Sequence, residues 1–411
     1  MGRWLQLVML SAREALVFIT GATTLSLEVL ASRVMTPYFG VSLYIWASIL
    51  ATTLAFLALG YGAGGLVSRR CDAKTLRIGF FSAPIVAACA MVLACAVYPV
   101  LFVRLAQADL VVGSFVASTF LLAVPLILFS AMNPLLVSLE QKDHPGAAAG
   151  RVFFISTLGS VLGVLVTAFA MIPYLTNFRG ILLTAIVVLV ATVMISRDLA
   201  PVALRSIRIA AALVGGLALA LAIGRDSYLA VLDAGNPQSG RYRIVDESTS
   251  VFGNVKIVER LDRNRMPVER ILLQEGLVQN RVGPNQESLS PYTDVLSALA
   301  RRHHSKPDAV LILGLGAGIV AEELARTDWR VTAVEINADT AELAKRYFGL
   351  GDRVRTVVAD ARTFVRGCPG GPYPVVIVDL FQGDFAPDYL FTREFFSDVS
   401  HCAGPKGKVI M

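Results

Sequence analysis

The sequence predicts a multi-span α-helical membrane domain followed by an α/β domain built on a doubly wound parallel sheet. The 411-residue chain is 55% hydrophobic and 17% charged, which is too apolar for a water-soluble protein of this length. Long uncharged runs recur up to about residue 224, and the composition after residue 225 is that of a soluble domain. There, short Val, Leu and Ile runs alternate with helical patterns, which is typical of a parallel sheet with covering helices.

The apolar half contains runs that reach the roughly 20 residues that a membrane helix needs. The first run contains Glu28, followed by Arg33. A carboxylate at this depth is costly and normally faces a partner or a polar cavity. Glu28 is therefore either a substrate or proton site, or part of an intramembrane pair that orients two helices. The seven predicted spans cover residues 14–36, 43–67, 78–102, 110–137, 152–175, 179–196 and 206–224.

Small residues recur at helical spacing in two of these spans. The second span holds L-G-Y-G-A-G-G at 59–65, and Gly159 and Gly163 form a G-x-x-x-G pattern in the fifth. Glycines at this spacing let two helices approach closely in lipid. We expect both patterns to serve helix packing.

The net charge of +6 comes largely from short loops between the spans, so it indicates membrane topology and no nucleic-acid binding. The side opposite the N-terminus carries only Arg33, Arg104 and Arg179 before the last span. The positive-inside rule therefore places the N-terminus in the cytoplasm. We expect a multi-pass protein of the cell (inner) membrane. The cations on the N-terminal side are Arg3, Arg13, Arg69, Arg70, Lys74, Arg77, Lys142, Arg151, Arg197, Arg205 and Arg208.

Seven spans would place the C-terminal domain outside the cytoplasm, away from cellular nucleotides. Either one run does not cross the membrane, or the domain works outside on another compound. Both interpretations are open from the sequence.

The five cysteines are not arranged in any C-x-x-C pair. We expect neither a disulfide framework nor a metal site from this spacing. The cysteines are Cys71, Cys89, Cys95, Cys368 and Cys402.

Gly, Asn and Pro at 233–240 indicate a linker. Alternating patterns and turn residues after it predict a small antiparallel sheet at 241–245, 254–259 and 270–273, then a helix at 290–302. The chain is thereby divided into three parts: a membrane domain at 1–224, a linker with the small sheet and helix at 225–302, and a nucleoside-binding domain at 303–411.

The nucleoside-binding domain begins with an apolar strand that runs into Gly314, Gly316 and Gly318 and then into a helical pattern. Glycines allow a tight turn and close approach of a ligand, and the helix start offers free N–H groups. The next strand ends on Glu335, where a carboxylate can accept both hydroxyls of a ribose. This order predicts a Rossmann-like site. The predicted parallel strands cover 309–313, 330–335, 354–358, 375–379 and 408–411.

Acidic residues stand at three successive strand ends: Glu335, Asp360 and Asp379. Ligands of such sheets bind at the carboxyl ends of the strands. Asp360 could accept from an adenine amino group, and Asp379 could accept a proton from an amine. The alternative for each is a cap of the following helix. Three acids in register favour a ligand site.

Further motifs follow one another in a recognisable order. They are E-S-T-S-V-F-G-N-V-K-I-V-E at 247–259, L-Q-E-G-L-V-Q at 273–279, Tyr292-Thr293-Asp294, the glycine loop, V-E-I-N, V-A-D-A and the segment from Asp379. Over residues 241–411 these resemble the polyamine aminopropyltransferase (spermidine synthase-like) family in its membrane-fused form. The resemblance implies a methyltransferase-type fold and aminopropyl transfer from decarboxylated S-adenosylmethionine to an amine.

The resemblance also implies roles for individual residues. Asp379 would be the base, Glu335 the ribose ligand and Asp360 the adenine ligand. Gln279 would lie beside the cofactor and Tyr292 on the substrate side.

The chain departs from the family pattern at several positions. Ala317 stands where the family has an Asp that holds the donor's ammonium group, Thr293 replaces a His, and Gln382 replaces the second Asp of D-x-x-D. Asp384, on the substrate side with Gln382, or Asp388 could compensate, since both lie only a few residues further along. The family sheet continues beyond the position of Met411, so we expect a C-terminally truncated domain.

Two other functions are weighed against aminopropyl transfer. The missing acid at Ala317 suggests an S-adenosylmethionine-dependent methyltransferase on the same sheet. Glu28 suggests a transporter or scaffold whose C-terminal half binds a ligand without catalysis. The expected partners are a small amine, the lipid bilayer and, in a homodimer, a second copy of the chain. No metal is expected.

Overall fold

A computed structural model describes residues 11–40, 43–140, 145–225, 241–303, 308–381 and 388–411. The chain divides into two compact units, Met1–Leu232 and Asp233–Met411. The expected linker at 233–240, and the candidate residues Gln382 and Asp384, lie outside the described residues. The three-part division made from the sequence stays a prediction.

The first unit is helical, and the described residues contain seven helices long and apolar enough to cross a membrane. The seven segments predicted as spans are thus confirmed as long apolar helices. A π-helical turn, Thr167–Met171, extends the fifth helix, and a 3₁₀ turn, Ser196–Asp198, follows the sixth. The helices are α1 (Ala12–Phe39), α2 (Leu43–Arg70), α3 (Ala73–Ala108), α4 (Leu110–Glu140), α5 (Pro145–Val166), α6 (Asn177–Ile195) and α7 (Pro201–Ile223).

Helix α1 begins with a capping box. The Glu14 backbone N–H donates to the Ser11 hydroxyl at 3.2 Å, and the Ser11 N–H donates to the Glu14 carboxylate at 2.7 Å. That carboxylate is buried and also forms an ion pair with Arg151 of α5, with Nη2 to Oε2 at 2.9 Å. A buried carboxylate needs such partners. The ion pair therefore connects the start of α1 to α5.

The G-x-x-x-G pattern of α5 packs directly on α1. A Cβ atom at Gly159 would overlap the Phe18 carbonyl oxygen, and one at Gly163 would overlap that of Ala22. The Ser26 hydroxyl donates to the Gly163 carbonyl at 3.1 Å. The two backbones are thus too close for any side chain at these positions, which confirms the packing role.

The glycine-rich stretch of α2 divides into two faces. A Cβ at Gly60 would overlap the Ser130 hydroxyl of α4, and one at Gly64 would lie 2.5 Å from the Ala131 carbonyl oxygen. Gly62 faces open space. One face of the stretch therefore packs α2 against α4.

The second unit begins with an antiparallel sheet in the order β1-β2-β3-β4. Three of these strands match the sequence expectation, whereas the fourth was missed. The fourth strand buries Asn280 and Val282 and leaves Val278 exposed, so it lacks the apolar alternation that predicts a strand. The strands are β1 (Arg241–Ser250), β2 (Gly253–Leu261), β3 (Pro267–Gln274) and β4 (Leu277–Val282).

The larger sheet has five parallel strands in the order β7-β6-β5-β8-β9. The predicted parallel strands and the Rossmann-like class are confirmed. The order reverses direction between β5 and β8, and ligands of such sheets bind in the crevice outside that point. The elements are α8 (Pro291–His303), β5 (Ala309–Leu313), α9 (Ile319–Arg326), β6 (Arg330–Glu335), α10 (Ala338–Tyr347), β7 (Arg355–Val358), α11 (Ala361–Gly367), β8 (Val375–Val378), α12 (Arg393–Ala403) and β9 (Lys408–Ile410).

A disulfide joins Cys368, just after α11, to Cys402 in α12, with their Cα atoms 5.5 Å apart. The expectation of no disulfide was wrong. The two cysteines are 34 residues apart in sequence, and only the packing of α11 beside α12 brings them together. Spacing in the sequence alone does not carry that information.

Candidate active site

The glycine loop after β5 adopts a backbone that other residues rarely take. Gly314, Gly316 and Gly318 have φ angles of 90°, 53° and 77°. A Cβ at Gly314 would overlap the Asp379 carbonyl oxygen. The Asp379 N–H donates to the Leu313 carbonyl at 2.8 Å, so the ends of β5 and β8 lie directly side by side. The loop therefore turns tightly at the carboxyl edge of the sheet.

Glu335, at the end of β6, faces this loop. Its carboxylate accepts hydrogen bonds from the backbone N–H groups of Leu315 at 3.2 Å and Asn337 at 3.0 Å. Asn337 caps α10, so Glu335 is free of that role. Burial raises the pKa of the Glu335 carboxyl, although the backbone donors act in the opposite direction. The carboxylate lies at the edge where a ribose is expected.

Asp379, at the end of β8, is the second acid of this edge. Burial, and then the negative charge of Glu335, raise its pKa from 3.8 to about 6. A carboxyl group with this pKa is largely ionised at neutral pH, yet it is basic enough to accept a proton. It is therefore suited to general base catalysis.

Asn280 of β4 connects the small sheet to the glycine loop and to α8. Its side-chain oxygen accepts from the Ala317 N–H at 2.8 Å, and its amide nitrogen donates to the Tyr292 hydroxyl at 2.7 Å. The side chain is buried. Sequence analysis missed this residue. The available signal was an amide at an inward-facing strand position, next to the candidate Gln279.

Tyr292 brings a hydroxyl group to the same place from the start of α8. Besides Asn280, its hydroxyl lies 3.5 Å from the Gln279 carbonyl oxygen. Loss of water around the hydroxyl, together with the charge of Asp379, raises the pKa of Tyr292. The hydroxyl thus stays protonated and can donate or accept a hydrogen bond.

These residues surround a cavity of about 620 Å³. It brings together six candidate residues from the sequence: Gln279, Tyr292, Gly314, Gly316, Glu335 and Asp379. The other described lining residues are Gln274, Val278, Asn280, Val295, Leu296, Leu299, Ile336, Thr340, Val378, Leu380, Phe381, Tyr389, Leu390 and Met411.

Asp360 is not among the described residues that line the cavity. Its carboxylate accepts from the Thr363 N–H and hydroxyl, both at 2.8 Å, and so caps α11. This is the helix-cap alternative weighed from the sequence. The adenine-ligand role of Asp360 stays a prediction.

Two departures from the family pattern have structural explanations. Ala317 is fully buried in an apolar cluster with Val255, Ile257 and Phe348. Thr293 is also buried, and its hydroxyl donates to the Ser290 carbonyl at 2.8 Å. Neither residue is among the described cavity lining, so neither supplies a polar group there.

Glu28 belongs to the first unit, where it is half-buried on α1. The buried Thr53 hydroxyl of α2 lies near its carboxyl group. Its role as a polar site stays a prediction. Among the described residues, no cluster of three His, Cys, Asp or Glu side chains could hold a metal ion.

Comparison with known proteins places this site in a characterised domain type. Residues 289–411 match the spermine/spermidine synthase domain. Polyamine aminopropyltransferase from Vibrio vulnificus is 32% identical over 111 residues, or 26% of this chain and 37% of that protein. Polyamine aminopropyltransferase 2 from Streptomyces coelicolor is 29% identical over 307 residues, or 69% of this chain and 52% of that protein.

The chain therefore spans about a third to a half of these two relatives. A crystal structure of a probable spermidine synthase from Corynebacterium glutamicum is 24% identical, covering 40% of this chain and 59% of that chain with a TM-score of 0.31. The residues that match the spermine/spermidine synthase domain include Glu335 and Asp379.

Proposed function

We propose that the chain is a membrane-anchored transferase that moves an aminopropyl group from decarboxylated S-adenosylmethionine to an amine. The observation that carries the proposal is Asp379, a carboxyl group with a pKa of about 6 in a cavity beside the glycine loop. The similarity to polyamine aminopropyltransferases supports the same reaction.

The proposed step is a direct displacement. The amine nitrogen attacks the aminopropyl carbon next to the sulfonium, so an N–C bond forms and the C–S bond breaks. The electron pair stays on sulfur and gives methylthioadenosine as a neutral thioether. Before this attack, the Asp379 carboxylate takes one proton from the ammonium form of the acceptor, which frees the lone pair of the nitrogen. Holding both reactants in line supplies much of the rate, and the base supplies the rest.

The remaining site residues position the reactants. Glu335 accepts the ribose hydroxyls, and the loop at 314–318 lets the nucleoside approach the backbone. Tyr292 and Gln279 lie at the substrate end of the cavity. Asn280 acts through the loop and Tyr292, so it is a positioning residue.

The test is methylthioadenosine release by the purified full chain in detergent. We expect release with decarboxylated S-adenosylmethionine plus an amine, and a loss of about 10²–10⁴-fold in the Asp379→Asn variant. Binding of the donor without any product, across monoamines and diamines, would overturn the proposal.

Ala317 favours one alternative, methyl transfer from S-adenosylmethionine. Because this position carries a buried methyl group, it offers no carboxylate to the ammonium of a decarboxylated donor. Calorimetry with the two nucleosides separates the reactions. Tighter binding of the carboxylated form would favour methyl transfer.

The membrane location is a further part of the proposal. Arg197 precedes α7, and Arg205 and Arg208 lie in its N-terminal part, which orients that end to the cytoplasm. The Cys368–Cys402 disulfide is typical of oxidising compartments. Both observations favour a C-terminus on the outer side, where the donor would have to be supplied.

A tag at the C-terminus tests this location. We expect it to be accessible in intact cells without permeabilisation. A tag accessible only after permeabilisation would mean that one of the seven helices does not span and that the disulfide does not form in the cell.

A further inference from the structure

Thr340 brings a buried hydroxyl group to the cavity. It lies in the first turn of α10, three residues after the N-cap Asn337, and it is one of the residues that line the cavity. The residue is only 3% exposed. Within the described part of the chain, however, its Oγ1 atom has no hydrogen-bond partner.

A buried hydroxyl in this state is unusual. Most buried polar side-chain atoms have at least one partner, and leaving one unpaired costs free energy. A threonine in a helix can donate to a carbonyl three or four residues earlier, as Thr52 of α2 does to Ser48 at 2.7 Å. Thr340 makes no such bond to the described residues before it. Its hydroxyl is therefore available to a group that enters the cavity.

Glu335 indicates which group Thr340 would meet. It ends β6, two residues before the N-cap of α10, and it lines the same cavity. Its two carboxylate oxygens accept from the backbone N–H groups of Asn337 and Leu315, which hold the side chain in place. Under the proposed function, this carboxylate accepts from the ribose hydroxyls of the donor.

A ribose hydroxyl can form hydrogen bonds in both directions. Its proton is donated to the Glu335 carboxylate, and its oxygen can still accept a hydrogen bond. An ionised carboxylate has no proton to donate, whereas the Thr340 hydroxyl has one. A ribose hydroxyl between the two side chains would therefore donate to Glu335 and accept from Thr340. The same contact would satisfy the buried Oγ1 atom.

We propose that Thr340 is a nucleoside-binding residue, whose hydroxyl donates a hydrogen bond to one of the ribose hydroxyls held by Glu335. The site thereby distinguishes a ribonucleoside from its deoxy analogue. This inference rests on the proposed transferase function, and it adds a residue that selects the sugar of the donor.

Thr340→Val tests the contact, because valine has nearly the same shape without the hydroxyl. Thr340→Ser keeps the hydroxyl and is the matched control. Binding of methylthioadenosine to the full chain in detergent is measured by calorimetry. We expect Thr340→Val to lose about three- to tenfold in affinity and Thr340→Ser to stay within about twofold of the parent. Equal affinities of Thr340→Val and the parent would overturn the inference.

Two analogues of methylthioadenosine, the 2′-deoxy and the 3′-deoxy compounds, locate the contact on the ligand. Each lacks one ribose hydroxyl. With the analogue that lacks the contacted hydroxyl, the parent and Thr340→Val should bind equally. If Thr340→Val weakens the binding of both analogues as much as that of the intact nucleoside, Thr340 contacts another part of the ligand and the ribose assignment is overturned.

Stability without ligand separates a binding role from a structural one. Because the Oγ1 atom has no partner among the described residues, Thr340→Val should keep or raise the Tm of the ligand-free chain. A lower Tm would show that the hydroxyl stabilises the fold, and it would overturn the inference.

The same variants distinguish this inference from the proposed function. The expected pattern of binding without release of methylthioadenosine from the donor would remove the transferase proposal and leave the role of Thr340 in place. Release by Thr340→Val, with the parent's affinity for the nucleoside, would establish the transfer and overturn the role of Thr340.

Discussion

The Asn280 side-chain oxygen accepts a hydrogen bond from the Ala317 backbone N–H at 2.8 Å, and this contact joins the small sheet to the glycine loop. Ala317 is buried, so its N–H has no access to water in place of this bond. The small sheet therefore contributes to the shape of the glycine loop as well as lining the cavity through β4.

Removal of this side chain tests that contribution. Asn280→Ala leaves a buried N–H without an acceptor, which costs about 1–3 kcal/mol. We expect a lower Tm and methylthioadenosine affinity reduced roughly 5- to 100-fold by calorimetry. Asn280→Asp keeps the acceptor oxygen and should lose less affinity than Asn280→Ala. The idea fails if the two variants bind equally.

Glu335→Ala should weaken nucleoside binding. Two ribose hydroxyls would lose a charged acceptor, and such hydrogen bonds contribute about 1.5–3 kcal/mol, so affinity for methylthioadenosine should fall by about ten- to a hundredfold. Glu335→Gln keeps an oxygen that can accept from the Leu315 N–H but removes the negative charge. A loss of affinity in this variant would therefore come from weaker ribose binding and not from loss of support for the loop. Membrane insertion should be unchanged. A folded Glu335→Ala variant with parental affinity would show that the loop is only a structural turn.

The rate of transfer should depend on the ionisation of Asp379. Its pKa of about 6 means that the fraction of active base rises as the pH passes through about 6 and levels off above about 7. We expect kcat to rise about tenfold between pH 5 and pH 6.5, at saturating amine. A profile that is flat between pH 5 and pH 8 would exclude Asp379 as the base.

The raised pKa of Asp379 also makes stability depend on pH. Stability should fall as the pH rises, whereas the rate of transfer should increase. Because the folded-state value of about 6 exceeds the ordinary 3.8, the folded protein binds the proton more tightly than the unfolded chain. The associated stability is fully present below about pH 4 and is lost as the pH rises to about 6. At pH 7 Asp379→Asn should therefore raise Tm, with a gain on the order of 2–3 kcal/mol. A lower Tm in the variant at pH 7 would contradict this prediction.

The membrane unit offers a paired test of glycine packing. Gly163→Ala places a methyl group against the Ala22 carbonyl and should separate α1 from α5, lowering Tm and the yield of protein extracted in detergent. Gly62→Ala is the control, because open space lies beside Gly62. If both variants behave like the parent, the close contact of α1 and α5 is not needed for folding.

Sequence analysis correctly predicts the elements whose pattern lies within one short segment of the chain. Apolar runs give the membrane helices and the parallel strands, and glycines followed by a strand-end acid give the loop and Glu335. The same reasoning could not distinguish Glu335 from Asp360, because both follow a strand and precede a helix. The difference depends on Asn337, which caps α10 and leaves Glu335 to the glycine loop.

Features that depend on packing between distant segments were missed. Asn280 is 37 residues from Ala317, and Cys368 is 34 residues from Cys402. Neither pair has a spacing that predicts contact. The first contact depends on how β4 packs beside the parallel sheet, and the second depends on how α11 packs beside α12.

The close backbone contact between Gly314 and Asp379 also affects how the site could change over evolution. The position of Asp379 depends on main-chain contacts between β5 and β8, while Val295, Leu296 and Leu299 line the cavity from a separate helix, α8. Under the proposed function, substitutions on α8 can therefore alter the accepted amine without displacing the Asp379 carboxylate. Relatives that share the sheet edge are free to diversify in the amines they accept, and laboratory selection for new acceptors should find its beneficial mutations on α8.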